Sequence, residues 1–500
     1  MQRRDLLKLT GGLALKTLAG YSVLTPALLR SAFAAPNPSI AELVAELKPD
    51  EGELLVPTHS LYQSRTEVYN LRTKLANNTH IRFWAKSKVG IEKAVAWALR
   101  HKVPFVSRSG GHSYEGLSQS ERFVIDLRGM QKIAFDPANS IVDVDAGCSL
   151  GQVYLEISKA NHAIPAGTCP SVGITGHVLG GGVGMLVRPL GLACDSLLSV
   201  EMVDARGTAI VASERENADL FWALRGGGQD NFGVVTKLRF KTHKLGSLHW
   251  FRIQWMTDVN AAARLMAKWQ SWAPSAPKEI SSIFKFQHAG GGKISLTLIG
   301  QTIGKKSDLA AELNSLTNVL PTPVAIQPAT FLQSVFKWAG IKDEDKEKLK
   351  KYDKEFMKGK SDYVKKPISS EGLLQLMQNI KALPANEVVL MCDAYGGAIS
   401  AGKKDSDTAF AHREDTLYSI QWASFWSKAA DSARRVQNLN QLYAKMRPHM
   451  SGGAYVNYCD LEIRDWEKAY WGENVERLKD IKRKYDRDNV FAHPQSLRIT

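Results

Sequence analysis

The stretch Arg108-Ser-Gly-Gly-His-Ser-Tyr-Glu-Gly116 decides the interpretation of the whole chain. It follows a short apolar run at residues 103–106, which is typical of a buried strand. The paired glycines Gly110 and Gly111 let the backbone turn sharply and present its N–H groups to an anion. His112 therefore extends from a tight loop at the end of a strand, although a single Gly-Gly-His is more often a turn with a surface histidine.

A second stretch, Gly167-Thr-Cys-Pro-Ser-Val-Gly-Ile-Thr-Gly-His-Val-Leu-Gly-Gly-Gly-Val-Gly184, favours a ligand site. Seven of its 18 residues are glycine, so we expect neither a helix interior nor a strand interior there. Such a backbone can lie close against a bulky ligand. It lacks the Gly-x-Gly-x-x-Gly frame of a Rossmann dinucleotide turn, which argues against a nicotinamide cofactor.

Together the two stretches resemble loops of the berberine-bridge-enzyme-like branch of the FAD-linked oxidases, in the vanillyl-alcohol-oxidase superfamily. In that branch, a histidine of an R-S-G-G-H-S loop and a cysteine of a G-x-C-x-x-V-G loop are both bonded to one flavin. His112 and Cys169 match those two positions. The resemblance thus implies a bicovalent FAD, whereas Cys169 taken alone is better explained as a small core residue.

Further blocks of this family follow in order along the chain. The glycine loop at residues 226–235 resembles the third flavin-contacting segment of the family, although glycines are common there in the places of Gln229 and Asp230. Residues 393–397 resemble part of the substrate domain, and residues 453–460 resemble the C-terminal return to the flavin domain. The resemblance covers most of residues 60–500.

The resemblance and the hydrophobic pattern both predict an α+β fold. From about Leu245, strand-like alternation is interrupted by helical patterns, as in a sheet that helices cover on one side. The expected architecture is a two-part PCMH-type FAD-binding domain and an α+β substrate domain with an antiparallel sheet. The expected boundaries are residues 1–34 for a signal peptide, 60–244 for the FAD-binding domain, 245–445 for the substrate domain, and 446–500 for a C-terminal segment returning to the FAD-binding domain.

The resemblance also assigns the cofactor contacts. A valine at the position of Val172 goes with oxygen reactivity in the family, and a larger residue goes with dehydrogenase behaviour; plain loop packing explains a valine equally simply. The residues implied to contact the cofactor are Arg108, Ser109, Gly110, Gly111, His112, Ser113, Gly167, Cys169, Val172, Gly173, Gly176, His177, Gly180, Gly181, Gly182, Val235, Tyr455 and Asn457.

Oxidation of an alcohol removes a hydride from carbon and a proton from oxygen, so the site needs a base. Family matching selects Tyr458 of the Tyr455-Val-Asn-Tyr458 motif, with Asp393 as an acidic partner and Tyr114 as a further candidate. Since the ordinary tyrosine pKa is about 10, Tyr458 needs such a partner if it is to act as a base near neutral pH. If this segment is strand-like, Tyr455 and Tyr458 point to opposite faces.

The composition limits other functions. The net charge is +15 at pH 7, but the densest basic run, residues 342–366, alternates with Asp and Glu. That pattern predicts a solvated helix face rather than a nucleic-acid site. The five cysteines form no C-x-x-C pair and no Cys/His cluster with zinc spacing, so we expect no metal, and buried thiols rather than disulfides.

The N-terminus has the features of a targeting segment. Arg3 and Arg4 precede an apolar stretch at residues 13–29, and residues 32–34 form an A-x-A cleavage site. The paired arginines resemble a twin-arginine signal, although a Sec signal can also carry adjacent arginines. We expect the twin-arginine translocase to export the folded, FAD-loaded protein to the periplasm or beyond.

We therefore expect an exported FAD-dependent oxidase. Its substrate is expected to be an alcohol or hemiacetal, first of all a mono- or oligosaccharide, with O2 reduced to H2O2. Three alternatives stay open: oxidation or cyclisation of an aromatic or secondary-metabolite alcohol or amine, a dehydrogenase with another acceptor, and a non-catalytic basic binding protein on the same fold. The sequence assigns no oligomeric state.

Overall fold

The structure is a computed structural model that describes residues 38–74, 81–228, 230–342, 344–350 and 354–499. The predicted signal peptide lies outside these residues. Within the described ranges, no helix is both long and apolar enough to cross a membrane.

A four-stranded sheet positions the His112 loop. It is formed by β1 (Gly52–Leu55), β2 (Ile81–Ala85), β3 (Phe105–Arg108) and β4 (Phe123–Asp126), and the helices beside it are α1 (Pro38–Glu46), α2 (Tyr62–Thr66) and α3 (Lys88–Arg100). The strand order is β1-β2-β4-β3, with β2, β4 and β3 parallel and β1 antiparallel to β2. Ser87 caps α3, whose buried face recurs at Ile91, Ala94, Val95 and Ala98. The His112 loop begins where β3 ends.

A second, antiparallel sheet follows. Its strands are β5 (Ile133–Asp136), β6 (Ile141–Asp145), β8 (Leu197–Val203), β9 (Ala209–Ser213) and β10 (Val234–Lys241), in the order β5-β6-β10-β8-β9. A small ribbon pairs β7 (His162–Ala163) with β11 (His243–Lys244). The helices between these strands are α4 (Leu150–Ile157), α5 (Ile174–Leu179), α6 (Val187–Leu190) and α7 (Ala218–Ala223).

The glycine-rich stretch departs from its prediction in one respect. We expected no helix interior in it, but α5 forms between Gly173 and Gly180. Four residues of this helix are buried: Ile174, Thr175, Val178 and Leu179. Their burial stabilises the helix by more than the single glycine inside it destabilises it. The stretch therefore approaches the cavity partly as the start of a short helix and partly as loop.

The largest sheet among the described residues has seven strands, all antiparallel. The order is β15-β12-β14-β13-β17-β18-β16. The strands are β12 (Leu248–Thr257), β13 (Ile280–Gly290), β14 (Lys293–Thr302), β15 (Ala325–Ala329), β16 (Phe356–Val364), β17 (Val389–Ala394) and β18 (Tyr418–Trp426), and the helices are α8 (Val259–Trp272), α9 (Lys306–Thr317), α10 (Phe331–Ala339), α11 (Ser370–Lys381) and α12 (Ser432–Met446).

The two faces of this sheet differ. On one face, side chains such as Phe284, Leu390 and Ile420 form an apolar core with α8, α9, α11 and α12. On the opposite face, the alternate residues of β13, β17 and β18, such as Met391 and Gln421, line a cavity. The predicted α+β fold and the antiparallel sheet covered by helices on one side are thus confirmed.

The chain ends with α13 (Trp466–Trp471) and α14 (Val475–Tyr485), which pack against the first part of the molecule. Lys482 of α14 is buried, and its ammonium donates to the backbone oxygen of Asn231 at 2.8 Å. The side chain of Asn231 in turn accepts from the backbone N–H of Leu497 at 3.0 Å. These contacts hold α14 and the residues that follow it beside the glycine loop at residues 226–235.

Within the described residues, the prediction of a solvated helix face was wrong for part of the basic run at residues 342–366. Its second half is β16, and Lys358 and Lys360 on that strand are buried. Lys358 lies 2.6 Å from Glu115 and 2.5 Å from Asp460, and Lys360 lies 2.7 Å from Asp460. The lysines enter the interior because acidic partners far away in sequence neutralise them there.

Candidate active site

The His112 and Cys169 loops touch because both are glycine at the contact. A Cβ atom on Gly110 would lie 2.2 Å from the backbone nitrogen of Gly173, and a Cβ on Gly173 would lie 2.3 Å from the nitrogen of Gly110. No larger residue fits either position without moving backbone. Ser109 supports the contact from one side by donating to the backbone oxygen of Ala146 at 2.7 Å.

His112 is enclosed on several sides. Its ring stacks on Tyr69, with ring centroids 4.5 Å apart and planes 15° apart. Its Nε2 lies 3.1 Å from the hydroxyl of Ser171, which belongs to the glycine-rich stretch. Burial, with the charge of Arg108 adding to it, lowers the pKa of His112 to about 3. The imidazole is therefore neutral at physiological pH and keeps a nucleophilic nitrogen.

Cys169 faces the same Ser171 hydroxyl. Its sulfur lies 3.5 Å from the Ser171 oxygen, and the side chain is exposed toward the cavity. Burial of the site raises the pKa of the Cys169 thiol, so it carries no charge near neutral pH. The other four cysteines are buried and free, which confirms the prediction of buried thiols rather than disulfides.

Two tyrosines stack beside these loops. The rings of Tyr114 and Tyr458 lie 5.2 Å apart and are nearly parallel, at 6°. The Tyr114 hydroxyl accepts a hydrogen bond from the Gln421 amide at 2.6 Å. The ring of Tyr114 also covers Gly359 of β16, where a Cβ would lie 2.7 Å from it. A glycine at that position thus leaves room for the tyrosine pair.

Tyr455 and Tyr458 do not point to opposite faces, so that expectation was wrong. Residues Val456–Tyr458 form a 3₁₀ turn rather than a strand, and the two rings meet edge-on with centroids 4.9 Å apart. In such a turn residues three apart lie on one side. The Tyr455 hydroxyl accepts from the backbone N–H groups of Gly182 and Val183 at 3.1 and 3.2 Å, which ties this turn to the glycine-rich stretch.

The open face of the large sheet forms the opposite wall. Asp393 of β17 lies there, paired in register with Ile283 on one side and Ser419 on the other. Burial raises the pKa of Asp393 to about 7, while the neighbouring Lys285 and Ser419 act in the opposite direction. A carboxyl group with such a pKa can accept or release a proton at neutral pH.

All these groups surround one cavity of about 310 Å³. Its size is at the lower end of the range for small-molecule sites. The predicted site residues that line it are Ser109, Gly110, Gly111, His112, Ser113, Tyr114, Gly167, Cys169, Val172, Gly173, Gly176, His177, Asp393, Tyr455, Asn457 and Tyr458.

Five predicted residues lie behind the cavity wall rather than in it. Arg108 is fully buried, and its guanidinium donates to the backbone oxygens of Thr66 and Glu67 beneath Gly111. Val235 is buried in β10. The other three are Gly180, Gly181 and Gly182, which pack closely against neighbouring side chains or bond to them through the backbone.

The cavity also contains residues that sequence reasoning did not select. Asp230 has a φ of 48°, in the region that favours glycine, and it accepts from the Ser107 N–H at 2.8 Å. Burial raises its pKa to about 6.

Lys285 and Gln421 reach the cavity from β13 and β18. Strand alternation could have placed these two on one face, but it does not say which face meets the cofactor loops.

Comparison with known proteins identifies the family. A family model described as FAD binding domain matches residues 80–213, and one described as berberine and berberine like matches residues 454–498. An uncharacterised FAD-linked oxidoreductase of Bacillus subtilis is 32% identical over 442 residues, covering 86% of this chain and 93% of that protein. The monolignol oxidoreductase AtBBE-like 13 of Arabidopsis thaliana is 31% identical over 479 residues, covering 88% and 89%.

A solved structure is similar to this chain over most of its length. The Phl p 4 variant described as a glucose oxidase superposes with a TM-score of 0.83 at 30% identity, covering 92% of this chain and 99% of that one. The chain belongs to the berberine-bridge-enzyme-like family of FAD-linked oxidoreductases.

The residues present fit an FAD. A neutral imidazole and a thiol project into one cavity from two loops that meet at glycines Gly110 and Gly173. Both are groups that can bond to carbon. The facing sheet supplies a carboxyl group with a pKa of about 7 at Asp393. The cavity thus brings together two groups that can bond to a cofactor and a carboxyl group that can accept a proton at neutral pH.

Proposed function

We propose that the protein oxidises an alcohol or hemiacetal of a mono- or oligosaccharide to the carbonyl compound, with O2 reduced to H2O2. When bound, the FAD accepts the hydride from the substrate carbon and passes the two electrons to O2. The observation that carries the proposal is the single cavity shared by His112, Cys169, Tyr458 and Asp393. It joins the residues for holding the cofactor to those for removing the proton.

His112 and Cys169 are proposed to hold the FAD by one covalent bond each. Support comes from the shared Ser171 hydroxyl, which lies 3.1 Å from the imidazole and 3.5 Å from the thiol. Two fixed points on neighbouring loops would prevent the cofactor from tilting. The remaining wall could then stay open for a bulky substrate, because fewer side chains are needed to orient the cofactor.

Tyr458 is proposed to take the proton from the substrate hydroxyl, with Asp393 as the group that makes this possible. Burial, together with the nearby Tyr114 and Asp393, raises the pKa of Tyr458 well above its usual value, so free ionisation is unfavourable near neutral pH. Asp393 has a pKa of about 7 and can accept a proton there. We infer that the Tyr458 hydroxyl accepts the substrate proton while it passes its own proton to the Asp393 carboxylate, so that no isolated phenolate forms.

A polar wall favours a carbohydrate. Asp393, Lys285 and Gln421 offer donors and acceptors to hydroxyl groups on the cavity side of the sheet. The likeness to a glucose oxidase variant points the same way. The stacked rings of Tyr114 and Tyr458 and the likeness to a monolignol oxidoreductase favour an aromatic alcohol as the second candidate.

A substrate panel tests the proposal. The purified protein would be mixed in air with neutral and acidic mono- and disaccharides, with coniferyl-type alcohols, and with simple amines, and peroxide would be measured. We expect peroxide with a sugar. Peroxide only with the phenolic alcohols would select the second candidate, and flavin reduced by a sugar without peroxide would point to a dehydrogenase.

Export is proposed to use the twin-arginine route, on the basis of Arg3, Arg4 and the A-x-A site at residues 32–34. Replacing both arginines by lysine keeps the charge and should leave the flavin-loaded precursor in the cytoplasm. Cell fractionation with immunoblotting would follow the two forms. Unchanged export in a strain without the twin-arginine translocase would rule this route out.

A further inference from the structure

A buried lysine at the edge of the large sheet joins the two segments that carry the stacked tyrosines. Lys358 lies on β16, the last strand of that sheet. Its ammonium lies 2.6 Å from the Glu115 carboxylate and 2.5 Å from the Asp460 carboxylate. Glu115 directly follows Tyr114 in the chain, and Asp460 is the second residue after Tyr458. One ammonium thus connects the chain beside one ring to the chain beside the other.

All three charges are shielded from solvent. The exposed fraction of the side chain is 2% for Lys358, 4% for Glu115 and 2% for Asp460. Burial by itself would lower the pKa of Lys358, but the charges of Asp460 and Glu115 outweigh it and raise the pKa, so the ammonium keeps its charge. Apolar side chains of similar volume often stabilise a protein as well as a buried ion pair does. Stability alone therefore does not account for this network.

The opposite face of the same strand supports the tyrosine rings. A Cβ atom on Gly359 would lie 2.7 Å from the ring of Tyr114, and that ring is stacked on Tyr458 with centroids 5.2 Å apart. Successive residues of a strand face opposite sides, so Lys358 lies on the face away from the rings. The strand thus packs against the tyrosine pair on one face and binds the chain beside both tyrosines through the other.

Removing the Lys358 ammonium would leave neither carboxylate without a cation. Glu115 is also paired with Arg72 at 2.7 Å, and Asp460 is also paired with Lys360 at 2.7 Å. The loss of Lys358 therefore avoids an uncompensated buried charge, which is the main reason why breaking a buried ion pair destabilises a protein strongly. What Lys358 adds is the link between the two carboxylates.

We propose that Lys358 is a positioning residue of the active site, which keeps the Tyr114 and Tyr458 rings stacked and the Tyr458 hydroxyl in place for the substrate proton. The inference rests on the proposed function and adds a residue that acts through Tyr458, since Lys358 lies outside the cavity lining. Proton transfer needs the two oxygen atoms within hydrogen-bond distance. A displacement of about 1 Å is therefore enough to slow the reaction by about 10²-fold.

Stopped-flow reduction of the flavin tests the inference. The FAD-loaded wild-type and Lys358→Met enzymes would be reduced without O2 by the alcohol of the panel above that gives most peroxide, with glucose and coniferyl alcohol tried first. We expect the limiting rate constant in Lys358→Met to fall by about 10- to 100-fold, with little change in the apparent Kd of the alcohol. A loss of folded protein alone would lower the amplitude but not the rate constant, so an unchanged rate constant would overturn the inference. Glu115→Gln removes the charge at the other end of the link, should act in the same direction, and serves if Lys358→Met does not fold.

Lys360→Met is the matched control. Lys360 is buried two residues further along β16 and binds Asp460, but its second carboxylate is Glu462 rather than Glu115. The substitution thus removes an equal charge from the same face and leaves the link between Glu115 and Asp460 intact. We expect a clearly smaller loss of rate than in Lys358→Met. Equal losses would mean that only the buried charge matters, which contradicts the inference.

A double-mutant cycle shows whether Lys358 acts through Tyr458. The rate constants would be compared for the wild type, Lys358→Met, Tyr458→Phe and the double variant. If the Tyr458 hydroxyl mediates the effect, Lys358→Met should slow the Tyr458→Phe enzyme by less than about 3-fold. Losses that multiply would show that Lys358 acts on another group, against the inference.

Crystal structures test the positioning without any substrate, and so separate the inference from the proposed function. The FAD-loaded wild-type and Lys358→Met proteins would be compared. We expect the Tyr458 ring to lose its parallel stacking on Tyr114 and to move by about 1 Å in the variant. A tyrosine pair with unchanged geometry would contradict the inference. A displaced pair would support it even if no alcohol reduces the flavin of the wild-type enzyme, in which case the proposed function alone fails.

Discussion

Replacing Tyr458 by phenylalanine is expected to slow substrate oxidation by about 10²–10⁴-fold, which is the usual contribution of a positioned base. The change keeps the ring that stacks on Tyr114 but removes the oxygen that is proposed to take the proton. Folding and flavin content should therefore survive. Stopped-flow measurement of the anaerobic loss of flavin absorbance isolates this step, whereas the later reaction with O2 should change little.

Tyr455→Phe is the control for this substitution. It removes the same atom from the adjacent ring, but that hydroxyl accepts from the Gly182 and Val183 N–H groups rather than serving the substrate. We expect a loss of stability of about 1–3 kcal/mol, from unpaired buried donors, with a smaller effect on rate. If Tyr458→Phe reduces the flavin as fast as the wild-type enzyme, the base lies elsewhere, with Asp393 and Tyr114 next to test.

We expect the reduction of the flavin by substrate to become faster as the pH rises, because of Asp393. Its pKa is raised to about 7 by burial, so its carboxylate form, which can accept a proton, accumulates as the pH rises through that value. The rate of flavin reduction should therefore rise between about pH 6 and 8. Asp393→Asn, which cannot titrate, should be slow and flat over this interval. A wild-type profile that is already flat there would remove Asp393 from the proton path.

The double substitution His112→Ala, Cys169→Ala is expected to abolish covalent attachment of the flavin completely. Each single variant should keep one bond, because the imidazole and the thiol belong to different loops. Precipitation with acid separates the cases: the yellow colour should stay in the pellet for the wild-type and single variants, and move to the supernatant for the double variant.

The double substitution His112→Ala, Cys459→Ala is the matched control for that experiment, since Cys459 is another free thiol that lines the cavity. It lies 3.6 Å from Ser113 and is buried, with a pKa raised by that burial. This double variant should retain the flavin in the pellet through Cys169. Colour in the supernatant of wild-type protein would contradict both attachments, and colour released by the His112→Ala, Cys459→Ala variant would place the second attachment at Cys459 rather than at Cys169.

Much of the cofactor side of this site could be predicted from the sequence, because clustered glycines indicate where the backbone packs closely against other groups. The Gly110 and Gly173 backbones approach too closely for any side chain, so the two glycine-rich stretches meet at this contact. His112 and Cys169 follow from those loops by family resemblance. The glycines Gly180 to Gly182 carry the same sequence signal, yet they lie behind the wall, since glycine marks close packing of any kind.

The substrate side could be predicted less well, because it depends on contacts between residues far apart in sequence. Alternation shows that Lys285 and Gln421 lie on strand faces, but only the sheet order brings those faces to the cofactor loops. The prediction that Lys358 lies on a solvated face was wrong for a related reason. Its charge suggested solvent, while its partner Asp460 lies 102 residues further along the chain.

The central claim is that His112 and Cys169 hold one FAD in a cavity whose other wall removes the substrate proton. Mass spectrometry of a protease digest, made under denaturing conditions without reduction, tests it most directly. The account predicts a single species in which the His112 peptide and the Cys169 peptide are joined through one FAD. Recovery of both peptides at their unmodified masses would contradict it.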